Sequence, residues 1–422
     1  MRVAVIGEGG REHAIIKKLL ENTAIETLFA LPGNDGIAQH ATCVPISTTD
    51  VTGITRFAVD NALDFVAIIP DDPLCMGLSD LLEKAGIKVF GPSKKAAQIE
   101  GSKIFAKKLM TQYGIPTADF KAFSDPDSAL QYLQTIAFPT VIKADGLARG
   151  KGVVICASYQ EAKEAVHDIM NNRRFGIAGS RILIESFLSG AEVSVLCFTD
   201  GQTLIPMPAV MDHKRVFDDD QGLNTGGMGA IAPNPFYTDE LAAQCMKDIF
   251  MPTINALYRE GRPFKGCLYF GLILTDKGPK VIEYNCRFGD PETQAVLPLL
   301  QSDLLDIMLA VSNNKLDGIP VVFSTQSSCC IVLTSGGYPG SFTVGHHIHG
   351  LHKVHETTLC YAGIKRDPKG DFITAGGRVI NITHVASTLR EAVAGAYRLS
   401  EEITFHNCHM RTDIGQRALQ GI

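Results

Sequence analysis

Glu283, Asn285 and Arg287 stand two apart at the end of an apolar run, Lys280-Val281-Ile282-Glu283-Tyr284-Asn285-Cys286-Arg287-Phe288-Gly289-Asp290-Pro291-Glu292-Thr293-Gln294. In a strand alternate side chains share a face, so these three point one way with Val281, while Ile282, Tyr284 and Cys286 point the other. A carboxylate and an amide oxygen so spaced can share one hard cation, and Mg²⁺ takes such oxygens, with phosphate, at about 2.0–2.1 Å. The arginine adds a planar fork for a carboxylate or a phosphate. The competing reading is a sheet edge whose polar face is merely wet, since half-solvated strands are common. Against it, Gly289-Asp290-Pro291-Glu292 keeps two more carboxylates beside the strand end, where open sheets bind their ligands.

Other stretches carry chemistry of their own. Val3-Ala4-Val5-Ile6 runs into Gly7-Glu8-Gly9-Gly10-Arg11-Glu12 and then a helix. Such glycines let a backbone approach phosphate at a helix N-terminus, where free N–H groups and the dipole favour anions. A nicotinamide site needs a third glycine where Glu12 stands and an acid at the tip of the next strand, and both are missing. That strand ends in Leu31-Pro32-Gly33-Asn34-Asp35-Gly36, and the two loops together suggest a sugar phosphate; for either alone a structural turn is as good an account.

The loop Asp145-Gly146-Leu147-Ala148-Arg149-Gly150-Lys151-Gly152 lies between two strands and reads as a hairpin lid over phosphates. It lacks the Walker spacing. Lys143 stands in an apolar strand, and a buried lysine needs an anionic partner. The strand through Ile184-Glu185 breaks at Ser186-Phe187-Leu188-Ser189-Gly190, offering free backbone groups to a flat heterocycle, with Glu192 just beyond for ribose hydroxyls. Residues 211–230 read as a long polar loop, either functional or disordered, with firm flanking strands favouring function.

These residues need several domains to position them. A chain of 422 residues exceeds what one core usually serves. With 45% apolar and 20% charged residues it has a soluble globular composition, and a net charge of −6 argues against a broad nucleic-acid footprint. Eleven cysteines without a Cys-x-x-Cys indicate neither zinc site nor disulfide framework, and fit a reduced cytoplasmic interior. No apolar run is long enough to span a membrane, and residues 1–6 enter a strand with no signal-peptide core. Strand and helix alternate to about residue 92, implying a parallel doubly wound sheet. A small strand–helix unit follows, then a second, antiparallel sheet that includes residues 266–274. From about residue 323 the chain reads as a small α+β domain. Five histidines between His346 and His355 lack regular ligand spacing, so a partly exposed strand and turn is expected there rather than a metal site.

In these stretches the sequence resembles the ATP-grasp superfamily, and within it the glycinamide ribonucleotide synthetases (phosphoribosylamine–glycine ligases). The match runs through residues 7–13 and Pro32-Gly33-Asn34 to Ile142-Lys143-Ala144-Asp145-Gly146 and Asp212-His213-Lys214-Arg215. It continues in Asn224-Thr225-Gly226-Gly227-Met228-Gly229, residues 285–294, Gly376-Gly377-Arg378-Val379 and Arg411-Thr412-Asp413-Ile414-Gly415. The resemblance implies a multidomain α/β and α+β protein: a doubly wound N-terminal domain over residues 1–100, an ATP-grasp core over 101–122 and 191–322, a mobile lid over 123–190 and a small α+β domain over 323–422.

It further implies ligation of glycine to 5-phosphoribosylamine through a glycyl phosphate, with ATP and Mg²⁺ or Mn²⁺, in purine synthesis. By the same resemblance Glu283 and Asn285 hold the metal, and Lys103, Lys143, Gly150, Lys151 and Gly152 cover the ATP phosphates. Adenine lies against Glu185, Ser186, Phe187 and Leu188, with its ribose on Glu192. Arg287 takes the reacting carboxylate. Gly9, Gly10, Arg11, Glu12, Gly33, Asn34, Asp35, Asn224, Thr225, Gly226 and Asp290 hold the sugar phosphate together with Asp212 and Lys214, which with Arg287 are the catalytic candidates. Asp212 and Asp290 are candidate bases, although an amine nucleophile can do without one. A monomer is expected, with at most transient contact with the enzyme that makes phosphoribosylamine.

The chain departs from the family at Asp71-Asp72-Pro73, Leu223 and Arg149, and no acid for a second metal stands in residues 266–274. Two alternatives stay open: an ATP-grasp ligase with another amine acceptor, and a nucleotide-sensing protein without turnover.

Overall fold

The structure, a computed structural model, describes residues 1–148 and 152–421. Its first sheet is parallel, with Thr42–Cys43, Thr27–Pro32, Arg2–Gly7, Phe65–Ile68 and Lys88–Phe90 in that spatial order. The winding direction reverses between Arg2–Gly7 and Phe65–Ile68, which opens a crevice beyond the carboxyl ends of these strands. Helices cover both faces, so Val3, Ala4, Val5 and Ile6 are all fully buried. Alternation divides them: Ala4 and Ile6 join one apolar cluster, which reaches Val193, Phe270 and Tyr284, while Val3 and Val5 join another, which reaches Phe198, Phe288 and Leu305.

Val193, Phe198, Phe270 and Tyr284 come from a second, antiparallel sheet ordered Leu204–Pro206, Ala191–Thr199, Gly266–Thr275 and Gly278–Asn285. The last strand does not run straight. Gly271 opposes Glu283 but Leu272 opposes Val281, so Ile282 is an extra residue and the ladder bulges. The bulge corrects the expected alternation: Val281 turns into the core beside Tyr284 and Cys286, away from the Glu283 face.

Phe120–Phe123, Ile182–Ser186, Thr140–Ala144 and Val153–Cys156 form a third sheet in that order. Helices Pro126–Leu133 and Tyr159–Val166 pack with it, N-capped by Asp125 and Ser158. Its apolar side chains, among them Phe123, Ile142, Ala162 and Ile184, form a cluster of their own.

Residues 211–230 are not the structureless loop expected from their composition. Met211–Asp212 pairs with Gly229–Ala232, and between them Arg215–Phe217 and Gln221–Asn224 make a hairpin. Both strands of the hairpin are largely open to solvent, so no apolar run betrayed them. Gly229–Ala232 also pairs with Ser327–Ser335, which continues through Arg378–Ala386 to Leu359–Tyr361 under the helix Leu389–Ser400. The α+β sheet at the C-terminal end therefore recruits two strands from upstream of residue 323. The histidine run is an exposed extended segment and turn, as expected, bridged at His347 to Ile373 and at His349 to Thr404.

Candidate active site

The end of Gly278–Asn285 gathers the charges. Lys214 Nζ lies 3.8 Å from Glu283 and 3.5 Å from Glu192, so one ammonium bridges two carboxylates on different strands. The bulge leaves the Ile282 carbonyl unpaired in the ladder, and Lys143 Nζ donates to it at 3.1 Å. Opposite Glu283 space is tight: a Cβ on Gly271 would lie 3.0 Å from Glu283 Cγ, so any larger residue would press on that side chain. Partial burial alone would raise the Glu283 carboxyl, but Lys214, Lys143, Lys103 and Arg287 together hold it below its usual range. Burial lowers the Lys103 ammonium against the pull of Glu283. For Lys214, Tyr269, Glu192, Glu283 and Asp212 outweigh burial and hold the ammonium well above its usual range.

Arg287 is more engaged than the sequence suggested. Its Nη2 donates to Glu100 and to Asn285 Oδ1, each at 3.2 Å, and Nη1 donates to the Phe288 carbonyl. Three of its five N–H groups are thus taken. Glu100 is buried; burial pushes its carboxyl up and Arg287 opposes the rise.

On the third sheet, Glu185 Oε2 accepts from two buried lysines, Lys107 at 3.0 Å and Lys143 at 3.1 Å, while Glu185 Oε1 is buried with no partner among the described residues. Burial brings the Lys107 ammonium down to about 8, against the opposing pull of Glu185. Ser186 and Phe187 are exposed and Leu188 half-buried, along the open connector to Ala191–Thr199. Lys103 donates to the Gly146 carbonyl at 2.9 Å, tying the helix Lys103–Gln112 to the start of the lid loop. Asp145 completes that tie, accepting from Ser102 Oγ at 2.9 Å and from the Ile104 N–H at 3.0 Å. Gly152 is described; Gly150 and Lys151 lie outside the described residues.

The N-terminal loops lie across the crevice. Glu12 is buried and turns back to cap Gly9 N–H at 2.8 Å and to pair with Arg11 at 2.7 Å, so this helix start already carries a carboxylate. Arg11 also donates to the Phe288 carbonyl at 2.8 Å, fastening the loop to the strand end. Gly10 packs where no side chain fits, since a Cβ would fall 2.0 Å from Asn381 Oδ1. Asn34 is consumed internally: its amide donates to Glu8, Tyr361 and Ala362 carbonyls and its oxygen accepts from Gly36 and Ile37. Asp35 accepts from the Arg366 N–H, and the Gly33 N–H donates to the Gly7 carbonyl at 3.1 Å.

Asp290 pairs with Arg378 at 2.6 Å, and Arg378 also donates to the carbonyls of Gly226 and Asp290. Thr225 fixes the backbone of Lys214, donating through both its N–H and Oγ1 to the Lys214 carbonyl at 2.8 Å, and Asn224 opposes Arg215. Asp212 Oδ1 is buried without a partner among the described residues, and burial together with Glu292 raises its carboxyl well above the usual range. The expected residues therefore fall into two groups that meet at the end of Gly278–Asn285, one on the third sheet and one across the N-terminal crevice.

Family models match along the chain: the phosphoribosylglycinamide synthetase N domain over residues 1–100, its ATP-grasp (A) domain over 101–293 and its C domain over 328–417. The chain belongs to the phosphoribosylglycinamide synthetase family. The phosphoribosylamine–glycine ligase of Caldanaerobacter subterraneus subsp. tengcongensis is 45% identical over 414 residues, 98% of this chain and 99% of its own length. That of Escherichia coli strain K12 is 43% identical over 425 residues, 100% and 99% of the two chains. The crystal structure of phosphoribosylamine–glycine ligase from Thermotoga maritima superposes with a TM-score of 0.87 at 31% identity, over 98% of this chain and 100% of that one. The biotin carboxylase domain of a Hydrogenobacter thermophilus 2-oxoglutarate carboxylase, solved with MgADP, shares the fold at 16% identity and a TM-score of 0.74.

Within this synthetase framework, reading the sequence missed Glu100, Lys107, Tyr269 and Arg378. Glu100 and Lys107 sit on or beside helices, where acids and lysines are ordinarily solvated. Their partners are 187 and 78 residues away along the chain, Arg287 and Glu185, so no local spacing marked them. Arg378 lay inside a motif already noted, Gly376-Gly377-Arg378-Val379, and could have been chosen from it.

Proposed function

We propose that this protein joins glycine to 5-phosphoribosylamine, consuming ATP and releasing glycinamide ribonucleotide, ADP and phosphate. The observation that carries this reading is the cluster of Glu283, Asn285, Arg287, Lys214, Lys143 and Lys103 at one strand end, in a chain that matches this synthetase family in its N, A and C regions. A carboxylate does not acylate an amine at neutral pH because oxide would have to leave. Attack of glycine's carboxylate on the γ-phosphate of ATP gives an acyl phosphate whose leaving group is phosphate, and the amine then displaces it. For phosphoryl transfer the protein supplies position and charge neutralisation.

In this reading ATP lies between the third sheet and the second. Its adenine rests on residues 185–188, where the unpartnered Glu185 Oε1 can accept from the exocyclic amine, and its ribose rests on Glu192. Lys103, Lys143 and the lid residues Gly150, Lys151 and Gly152 meet the phosphates. The lid over residues 123–190 has its own apolar cluster, which lets it close as a body. Glu283 and Asn285 offer oxygen donors of the type Mg²⁺ or Mn²⁺ requires, and the Glu283 carboxyl stays ionised, so the residues fit the metal. When bound, the ion supplies neutralisation of phosphate charge. Arg287 has two N–H groups left for glycine's carboxylate, by the donor count above. Gly9, Gly10, Arg11, Glu12, Gly33, Asn34, Asp35, Asn224, Thr225, Gly226 and Asp290 line the sugar-phosphate side, several through backbone only. Asp212, whose carboxyl burial raises well above the usual range, is better placed to take a proton than Asp290, which is already engaged with Arg378 at 2.6 Å.

We place the reaction in the cytoplasm, as eleven free cysteines suit a reducing compartment. No helix among the described residues is long and apolar enough to cross a membrane. A single chain carries both groups of residues, in keeping with a monomer. The test is ADP release measured with glycine and phosphoribosylamine supplied singly and together. Release only with both is expected, and turnover independent of glycine overturns the assignment.

A further inference from the structure

The motif Arg411-Thr412-Asp413-Ile414-Gly415 has no part in the chemistry above, yet Arg411 is among the most deeply buried large side chains, 2% exposed. Its guanidinium makes four hydrogen bonds. Nε and Nη2 donate to the two carboxylate oxygens of Asp413, each at 2.7 Å, in a bidentate pair. Nη1 donates to Asp220 Oδ1 at 2.8 Å and to the Arg215 carbonyl at 3.2 Å. Neighbours in the motif grip the same hairpin: the Asp219 N–H donates to Asp413 Oδ2 at 2.9 Å, and the Thr412 N–H to Asp218 Oδ1 at 2.8 Å. At the far end of the motif the Gly415 N–H donates to His213 Nε2 at 3.2 Å.

The contacts at residues 213 and 215 bracket Lys214, whose ammonium spans Glu192 and Glu283. An ammonium on four flexible carbons keeps that position only if its backbone is fixed, and here both neighbours are fixed by one segment from the other end of the chain. We propose that Arg411 is a positioning residue for Lys214, acting through the Arg215 carbonyl and the 215–224 hairpin, so that the C-terminal segment sets the geometry of the charges around Glu283. The inference rests on the reading of Lys214 as a working group of the ligase.

The test is a double-mutant cycle on the full chain, reading glycine-dependent ADP release. Arg411→Lys keeps the charge but loses the fork. It is expected to lower kcat/KM for ATP on the order of tenfold to 10²-fold, the scale at which a misplacement of about 1 Å matters. In a Lys214→Ala background the same substitution is expected to cost less than twofold, because there is no ammonium left to position. An equal loss in both backgrounds makes Arg411 a general stabiliser and overturns the proposal. If Lys214→Ala alone leaves turnover unchanged, the failure belongs to the site reading instead.

Two measurements cover a silent assay or an insoluble variant. Asp220→Ala removes one exposed partner of Arg411, and it is expected to weaken turnover in the same background-dependent way. Acylation of intact protein by an N-hydroxysuccinimide ester, followed by peptide mapping, is expected to label Lys214 at least threefold faster in either variant than in the parent, with exposed Lys121 unchanged. Equal labelling of Lys214 in parent and variants also overturns the proposal.

Discussion

At the scale of single residues, the chemistry at the end of Gly278–Asn285 depends on groups that are charged by arrangement. Glu283 has three lysines and an arginine to compensate it, so Glu283→Gln removes an anion that all four cations share. Turnover is expected to fall on the order of 10²-fold to 10³-fold, with part of the loss recovered at high Mg²⁺ because the amide oxygen remains a weak ligand. A magnesium titration at fixed ATP checks this, and unchanged turnover at limiting Mg²⁺ contradicts it. Arg287 answers to two demands. Arg287→Ala strips the partner from buried Glu100, so besides a rate loss of similar order the variant should be less stable by roughly 3–5 kcal/mol. Adding Glu100→Gln is expected to restore much of the stability and little of the rate, which denaturant midpoints and turnover measured side by side will separate. The sequence showed Glu283, Asn285 and Arg287 plainly, because a two-residue spacing at a strand end is local. It could not show that Arg287 is shared with Glu100, because that pair is made by folding alone.

At the scale of elements, legibility followed apolar patterning. The buried parallel strands, as in Val3-Ala4-Val5-Ile6, were readable as continuous runs, and so was the antiparallel core. The hairpin at 215–224 was not, because an open two-stranded ribbon buries too little to leave a pattern. Nor was the bulge: one inserted residue changes no composition yet reverses which face every earlier side chain takes. Val281 is the place to measure it. Val281→Asn puts an unpartnered amide into the core and should cost about 1–3 kcal/mol while leaving the Mg²⁺ dependence of turnover unaltered. An unbroken strand predicts the reverse, a perturbed metal response and an undisturbed melting midpoint.

At the scale of the whole molecule, segments 202 residues apart meet at His213. It is buried between Gly229, whose carbonyl lies 3.3 Å from Nδ1, and Gly415, whose N–H donates to Nε2. Burial, reinforced by Arg411, brings its pKa down to about 4. The unfolded value is near 6.5, so the neutral form contributes stability that is complete above about pH 6.5 and lost as pH falls toward 4, on the order of 3 kcal/mol in all. Denaturation midpoints between pH 7 and 4.5 should fall more steeply for the parent than for His213→Gln, whose amide can still accept from Gly415. Parallel slopes would assign the acid sensitivity elsewhere. Among the described residues the third sheet shares no apolar cluster with its neighbours, whereas the first and second sheets interleave in both of theirs. Cooperativity therefore stops at its borders: its amides should exchange with deuterium through an opening of their own, below the free energy of global unfolding. A single melting temperature would then average two events, with nucleotide expected to raise the lower one first.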